Sequence, residues 1–356
     1  MASLPIDLSV RPAVEGARLI ALDYLEQSRA ARARLNDPKD TDALHDFRVA
    51  LRRLRSTLRA YRTQLRGSVP RKLRDRVRDL TRSTNRGRDA EVQLAWLRPL
   101  VDEVAPAERP GLRWLVECVE HTREDAAEQT HEEIGRSFDK LDRQLSAKLS
   151  VYRRAVATAR AAPEPGLGLV AREALLTHAQ RLDDLLGAIH AGDDQAAIHR
   201  ARIAAKRLRY ILEPVAELLP SGVNLRLDLK SLQDLLGELC DAHVLEVAVL
   251  QAVEAAGAER AKRQFETALA DGAGAGLRSA RRRETRGLLA VVHRLQQRRL
   301  TAFAKLETTW LGGGDVFVGK ISTATQPLVV HRRGVAVPPP LVRRRTTRRP
   351  RAERPL

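Results

Sequence analysis

Apolar residues recur along this chain at helical spacing and almost nowhere in alternation. Val14, Ala17, Ala21, Tyr24 and Leu25 form one stripe over 12–34, in three- and four-residue steps that share a helix face. Asn36-Asp37-Pro38 interrupts the pattern, as turn-forming residues do. It resumes over 41–65 and stops at Gly67 and Pro70. Further helices are predicted over 71–83, 90–103, 108–136 and 138–160. The stretch Ala161-Ala162-Pro163-Glu164-Pro165-Gly166 is the best linker candidate. Helical spacing then returns over 169–190, 195–219, 224–238, 242–256, 258–270 and 277–309. Beyond Gly312-Gly313-Gly314 the periodicity fades. Pro338-Pro339-Pro340 and clustered arginines follow, a composition that predicts disorder.

The organisation is set by an internal repeat. Residues 44–58 read LHDFRVALRRLRSTL and residues 198–212 read IHRARIAAKRLRYIL. His45 matches His199, Arg48 matches Arg202, Arg52 matches Lys206, Arg53 matches Arg207, and Arg55 matches Arg209, all at an offset of 154. GRDAEV at 87–92 lies against LCDAHV at 239–244, setting Asp89 on Asp241 and Val92 on Val244 at an offset of 152. The chain is two copies of one helical unit, 11–160 and 167–310. A short segment, 1–10, precedes them, and an Arg- and Pro-rich tail, 311–356, follows.

Composition agrees. The 356 residues suffice for about two domains and hold 43% hydrophobic but only 3% aromatic residues, which argues against an ordinary β sandwich. Ala, Leu and Arg dominate, all strong helix formers. The fold class expected is all-α. Cys118 and Cys240 stand far apart with no metal-ligand spacing and read as small buried residues in a reducing cytoplasm. The N-terminus shows neither a basic nor an apolar leader, and no run approaches the ~18 apolar residues of a membrane span. No membrane partner is expected.

Charge narrows the function. Sixty-three basic residues face 45 acidic ones, a formal net charge of +18, and only nine of the basic residues are Lys. From His45 to Arg88 there are 15 Lys or Arg against three acids, and from His331 to Leu356 nine Arg against Glu353. These two stretches exceed the whole net charge, so the excess is local rather than a drift in composition. A polyanion is the expected partner, and Arg grips phosphate oxygens bidentately.

On a helical wheel His45, Arg48, Arg52, Arg55 and Arg59 fall on one side, next to an apolar stripe of Phe47, Leu51, Leu54, Leu58, Tyr61 and Leu65. His199, Arg202, Lys206 and Arg209 repeat the arrangement beside Leu208, Leu212, Val215 and Leu219. Arg53 and Arg207 point to the opposite flank. Like charges at such spacings repel, so counter-anions on the ridge would relieve them. Thr41 or Asp42, and Asp193 or Asp194, are the expected N-caps, which puts each His near an electropositive helix end suited to phosphate. A packing role suits a single His; two at equivalent places, each leading an Arg ridge, favour ligand contact. Arg71, Arg74, Arg78 and Arg82 extend the basic trend, against the plainer reading of a solvated face paired with Asp75 and Asp79. In the second copy only Arg226 and Lys230 correspond. Asp89 and Asp241 read as helix caps or as orienters of ridge arginines rather than as catalytic or metal-binding groups.

At these residues the chain resembles the CHAD family, named for its conserved histidine and α-helical domain. The resemblance covers roughly 11–310 and rests on HDFRVALRRLR at 45–55, HRARIAAKRLRY at 199–210, RDAEV at 88–92 and LKSLQDLLGELCDAHVL at 229–245. It implies two pseudo-symmetric bundles of four-helix type with a basic central surface that binds inorganic polyphosphate. The contacts so implied are His45, Arg48, Arg52, Arg53, Arg55, His199, Arg202, Lys206, Arg207 and Arg209, to which the ridges add Arg59, Arg74, Arg78 and Lys230. Cys240 departs from the family, where Asn often precedes the Asp. No ExExK pattern is present, so the triphosphate-tunnel enzyme often fused to the family is missing. The expected function is therefore non-enzymatic polyphosphate binding, with no cofactor and no metal, in the cytoplasm or on polyphosphate granules. A nucleic-acid binder is the alternative, with the tail as a weak non-specific arm; a stacking groove would need aromatics among the cations, and the ridges hold none. A metal-dependent phosphohydrolase ranks last, because the ridges lack the clustered carboxylates that such chemistry uses. The oligomeric state is left open.

Overall fold

The computed structural model describes residues 8–35, 37, 39–40, 42–84, 88–128, 131–150, 164–270, 277–312 and 316–330. Among them the structure is all-helical, apart from one isolated bridge between Pro12 and Gly166. The first half holds α1 (Ala13–Arg34), α2 (Ala43–Ala60), α3 (Arg71–Ser83), α4 (Arg88–Glu103), α5 (Arg109–Glu128) and α6 (His131–Ser150). The second holds α7 (Leu167–Gly187), α8 (Gln195–Leu212), α9 (Gly222–Ala270) and α10 (Leu277–Leu306), followed by the short α11 (Val316–Ala324) and α12 (Pro327–Val330). Offsets of 152–154 set α1 on α7, α2 on α8, and α3 with α4 on the single helix α9.

Three cores follow from this correspondence. Ile20, Phe47, Leu51, Leu54, Leu58, Val77, Phe138 and Leu145 close a bundle of α1, α2, α3 and α6, with Phe47 and Phe138 edge to face at 5.1 Å. Leu175, Leu182, Ala201, Leu208, Leu232, Leu236, Ala302 and Leu306 close its counterpart from α7, α8, the first part of α9 and the end of α10. The third core is shared. Leu94 and Leu97 of α4 and Leu112 and Leu115 of α5 pack with Leu245 and Val249 of α9 and with Leu288, Val291 and Leu295 of α10. Apolar burial at about 25 cal/mol per Å² thus ties the two halves to each other as well as each to itself. The chain also crosses between them at the linker, where Ala13 N–H donates to the Pro165 carbonyl at 3.0 Å and Leu167 N–H to that of Arg11 at 2.8 Å.

Several boundaries differ from the sequence reading. The three helices expected over 224–270 are one helix, α9, because nothing in 222–270 is a proline and the interior glycines alone do not end a helix. The break expected near 137 is not there, since α6 runs through it from His131 to Ser150; Gly135 instead gives α6 a close approach to the Arg32 side chain on α1. Helix α8 stops at Leu212 and turns 3-10 over Glu213–Leu218, where Pro214 cannot continue the α pattern. Helix α2 stops at Ala60 and passes into turns. The helical fold does not fade at Gly312: α11 follows and buries Ile321 and Ala324 in the second core. Residues 151–160 of the helix predicted over 138–160 and the tail from 331 lie outside the described residues.

Candidate functional site

Helices α2 and α8, which carry the repeated motif, pack against each other at the centre of the molecule. Arg53 meets Glu213 at 2.7 Å, and Arg59 acts electrostatically on Arg207. The two helices therefore cross antiparallel, and Ala60 touches both outer cores. Two equivalent pairs lie on the line that relates the halves. The charge of Arg52 acts on Lys206, and that of Asp89 on Asp241. A helical wheel cannot show this, since it treats one helix at a time; the fold joins both into one cationic surface.

The sequence-predicted residues separate into three groups. Arg52, Arg55, Lys206, Arg207 and Arg59 gather at the crossing: the charges of Arg59, Arg78, Arg82 and Arg52 act on Arg55, and those of Arg59, Arg181 and Arg55 on Arg207. Arg53 and Arg209 also lie there, but both are bound to Glu213, at 2.7 and 3.3 Å. Arg209 also stands 5.3 Å from the Tyr210 ring centroid. Arg202 sits beside Asp241, 3.8 Å away.

Arg48 is placed differently from the ridge expectation. Only 3% exposed, it donates to the Thr84 carbonyl and pairs with Glu91 at 3.1 Å. Thr84 follows the last turn of α3, whose unpaired carbonyls form a negative helix end, and Arg48 neutralises it from the inside. Its mate Arg202 finds no such end, because α9 runs on through the equivalent position. Arg74 donates to the Val69 carbonyl at 2.6 Å, and Arg78 is held by Asp75 at 2.8 Å and Asp79 at 3.0 Å. The plainer reading of α3 thus describes Arg78. Lys230 stands exposed on α9, with no ion pair among the described residues.

The two histidines do not meet. His45 and His199 are both exposed, each seven residues, about 10 Å of helix, from Arg52 or Lys206, at opposite ends of the antiparallel contact. Asp194 caps α8 as expected, accepting from Ala197 N–H at 3.2 Å. For α2 the acceptor is neither Thr41, outside the described residues, nor Asp42 but Asp40, which takes the Ala43 N–H at 3.0 Å.

Burial and crowding by cations tune the cluster. Burial first, then Arg202 and Arg52, pushes the Lys206 ammonium down to about 8 against the pull of Asp241. Burial raises the Asp241 carboxyl, with Arg202, Lys206 and Arg298 opposing and Asp89 adding to the rise. Burial, then Arg59, Arg181 and Arg55, brings Arg207 down to about 10. Arg53 moves the other way, since Glu213 more than offsets its burial. Charges this costly to gather in the empty protein are stabilised by an anion among them. Arg181 and His178 on α7 were missed from the sequence. Applying the 154-residue offset to Gln27 and Tyr24 finds them. Among the described residues no group of three or more His, Cys, Asp or Glu is placed to hold a metal ion, and no helix is long and apolar enough to cross a membrane.

The family model of the CHAD domain matches residues 20–250. The crystal structure of the CHAD domain from the plant Ricinus communis superposes with a TM-score of 0.52 at 20% identity, covering 91% of this chain and 96% of that one. PptA from Streptomyces chartreusis superposes with a TM-score of 0.54 at 16% identity, covering 83% and 100%. At these identities the likeness is one of fold. No curated protein matches the chain.

Proposed function

This chain belongs to the CHAD domain family, and from that premise we propose that it binds inorganic polyphosphate, without turning it over, on the surface where α2 and α8 cross. The observation that carries this reading is the packing of α2 on α8, which brings Arg52 close enough for its charge to act on Lys206. Two cationic helices 154 residues apart in the chain are packed together in spite of their repulsion. A linear polyanion offers what such a surface lacks, a regular run of charges shared between neighbouring guanidinium groups and independent of sequence. The polymer is the ligand implied by the family resemblance. Residence on polyphosphate granules follows from that binding.

Nucleic acid is the second reading, and the crossing supports it less. Tyr24 and Tyr210, the aromatic rings against Arg53 and Arg209 at the crossing, are 4% and 5% exposed, so neither is offered to a base, and stacking is what single-strand sites rely on. Competition at physiological salt tests the proposal. Labelled long-chain polyphosphate is displaced by unlabelled polyphosphate, DNA, RNA, ATP or heparin. Displacement by polyphosphate at the lowest concentration is expected. DNA or RNA competing equally well would contradict the assignment, because any basic surface binds polyanions non-specifically through their phosphates.

A further inference from the structure

The pseudo-symmetry of the crossing is broken in its chemistry. On one flank Arg53 and Arg209 both reach Glu213, whose carboxylate is only 5% exposed. Arg53 stands 5.9 Å from the Tyr24 ring centroid. Asp23 lies within reach of the Arg53 charge and accepts from Gln27 at 2.7 Å. Two cations meet two carboxylates, and the flank is neutral. The offset of 154 carries each of these residues to the opposite flank: Glu213 to Arg59, Arg53 to Arg207, Arg209 to Arg55, Tyr24 to His178, Gln27 to Arg181 and Asp23 to Thr177. Both carboxylates are gone and two new arginines have come in.

The second flank is therefore a cluster of four guanidinium groups, three of them acting on one imidazole. Arg55, Arg59 and Arg181 all act on Arg207, and Arg207, Arg59 and Arg181 act on His178. No carboxylate is paired with any of the four arginines among the described residues. His178 keeps a buried Nδ1 with no hydrogen-bond partner. The contact is isologous in geometry, yet one flank is closed by its own ion pairs and the other is left to an external anion.

Resting on the polyphosphate reading, we propose that a short polyphosphate is gripped on one flank only, by Arg55, Arg59, Arg181 and Arg207 with His178 beside them, while a longer chain runs on over Arg52 and Lys206. The Glu213 flank takes no phosphate. The molecule then has one strong seat for a short polyphosphate, not two related by the repeat. Residues on α7 take part in it, and Arg53, though part of the repeated motif, serves the fold.

The test uses the full chain and tripolyphosphate, a probe short enough to report one seat, with titration calorimetry giving affinity and stoichiometry. Arg59→Glu installs opposite Arg207 the acid that Arg53 already has. Binding of about one tripolyphosphate per wild-type chain is expected. Arg59→Glu should weaken it by about a hundredfold, the scale of charge-assisted hydrogen bonds, while raising the melting temperature of the empty protein. Arg181→Glu, at an exposed position on α7, should also weaken it, and Lys140→Glu on α6, the same charge change away from the crossing, should not. Two tripolyphosphates per chain, or equal affinity in Arg59→Glu, Arg181→Glu and Lys140→Glu, would overturn the one-flank assignment and leave polyphosphate binding standing. Failure of the wild type to bind polyphosphate of any length would instead remove the reading on which the assignment rests.

Discussion

Lys206 carries the most informative single charge in the molecule. Burial is the largest influence against its protonation, Arg202 on its own helix and Arg52 on α2 add to that, and Asp241 and Cys240 on α9 favour it. With its ammonium at about 8 in the empty protein, a bound polyanion raises that value and draws in a proton. Affinity for polyphosphate is expected to fall as pH rises above about 8. Calorimetry in buffers of different ionisation heat should show proton uptake there, and Lys206→Met should abolish it. The sign for folding is the reverse. An unfolded lysine stays protonated to its ordinary 10.4 or so, so between these values the unfolded chain holds more protons and the empty protein gains stability from this group as pH rises. At this scale the sequence shows which residues are basic but not which are already neutralised. Glu91 and Glu213, the acids that decide Arg48 and Arg53, lie 43 and 160 residues away, beyond any local pattern.

Helices divide into those that repeat faithfully and those that do not. The spacing of apolar residues gives α1, α3 and α7 close to their observed limits and α2 and α8 at their starts but not their ends, because each buries one stripe against one bundle. It misplaces α9, whose stripe changes partner midway, from the second bundle to the shared core, while the helix itself runs on. It also misses α11, too short to show a period, which is held by Ile321 and Ala324 against α7. The break between α3 and α4 against the continuity of α9 has an energetic consequence. Arg48 caps the open end of α3, so Arg48→Ala is expected to cost about 2–3 kcal/mol, the price of stranding Glu91 and the Thr84 carbonyl. A lower melting temperature with polyphosphate affinity nearly unchanged would bear this out. Unchanged stability with lost affinity would return Arg48 to the binding surface.

For the molecule as a whole, the repeat was legible and the pairing was not. Two copies of a motif say nothing of whether they face apart or together, and the shared core of α4, α5, α9 and α10 is what brings them face to face. The charge pattern follows the same logic: local excess is visible in sequence, whereas the single surface exists only once α2 and α8 cross. The most direct measurement is the affinity for long-chain polyphosphate at physiological salt after neutralising the central pair, Arg52→Gln with Lys206→Gln. Neutralisation suits this pair better than reversal, since Asp241 adjoins Lys206. A matched double change in the tail, Arg344→Gln with Arg348→Gln, removes the same charge. The central pair is expected to cost about a hundredfold or more and the tail pair several-fold at most; equal losses would reduce the site to diffuse electrostatics and contradict the account.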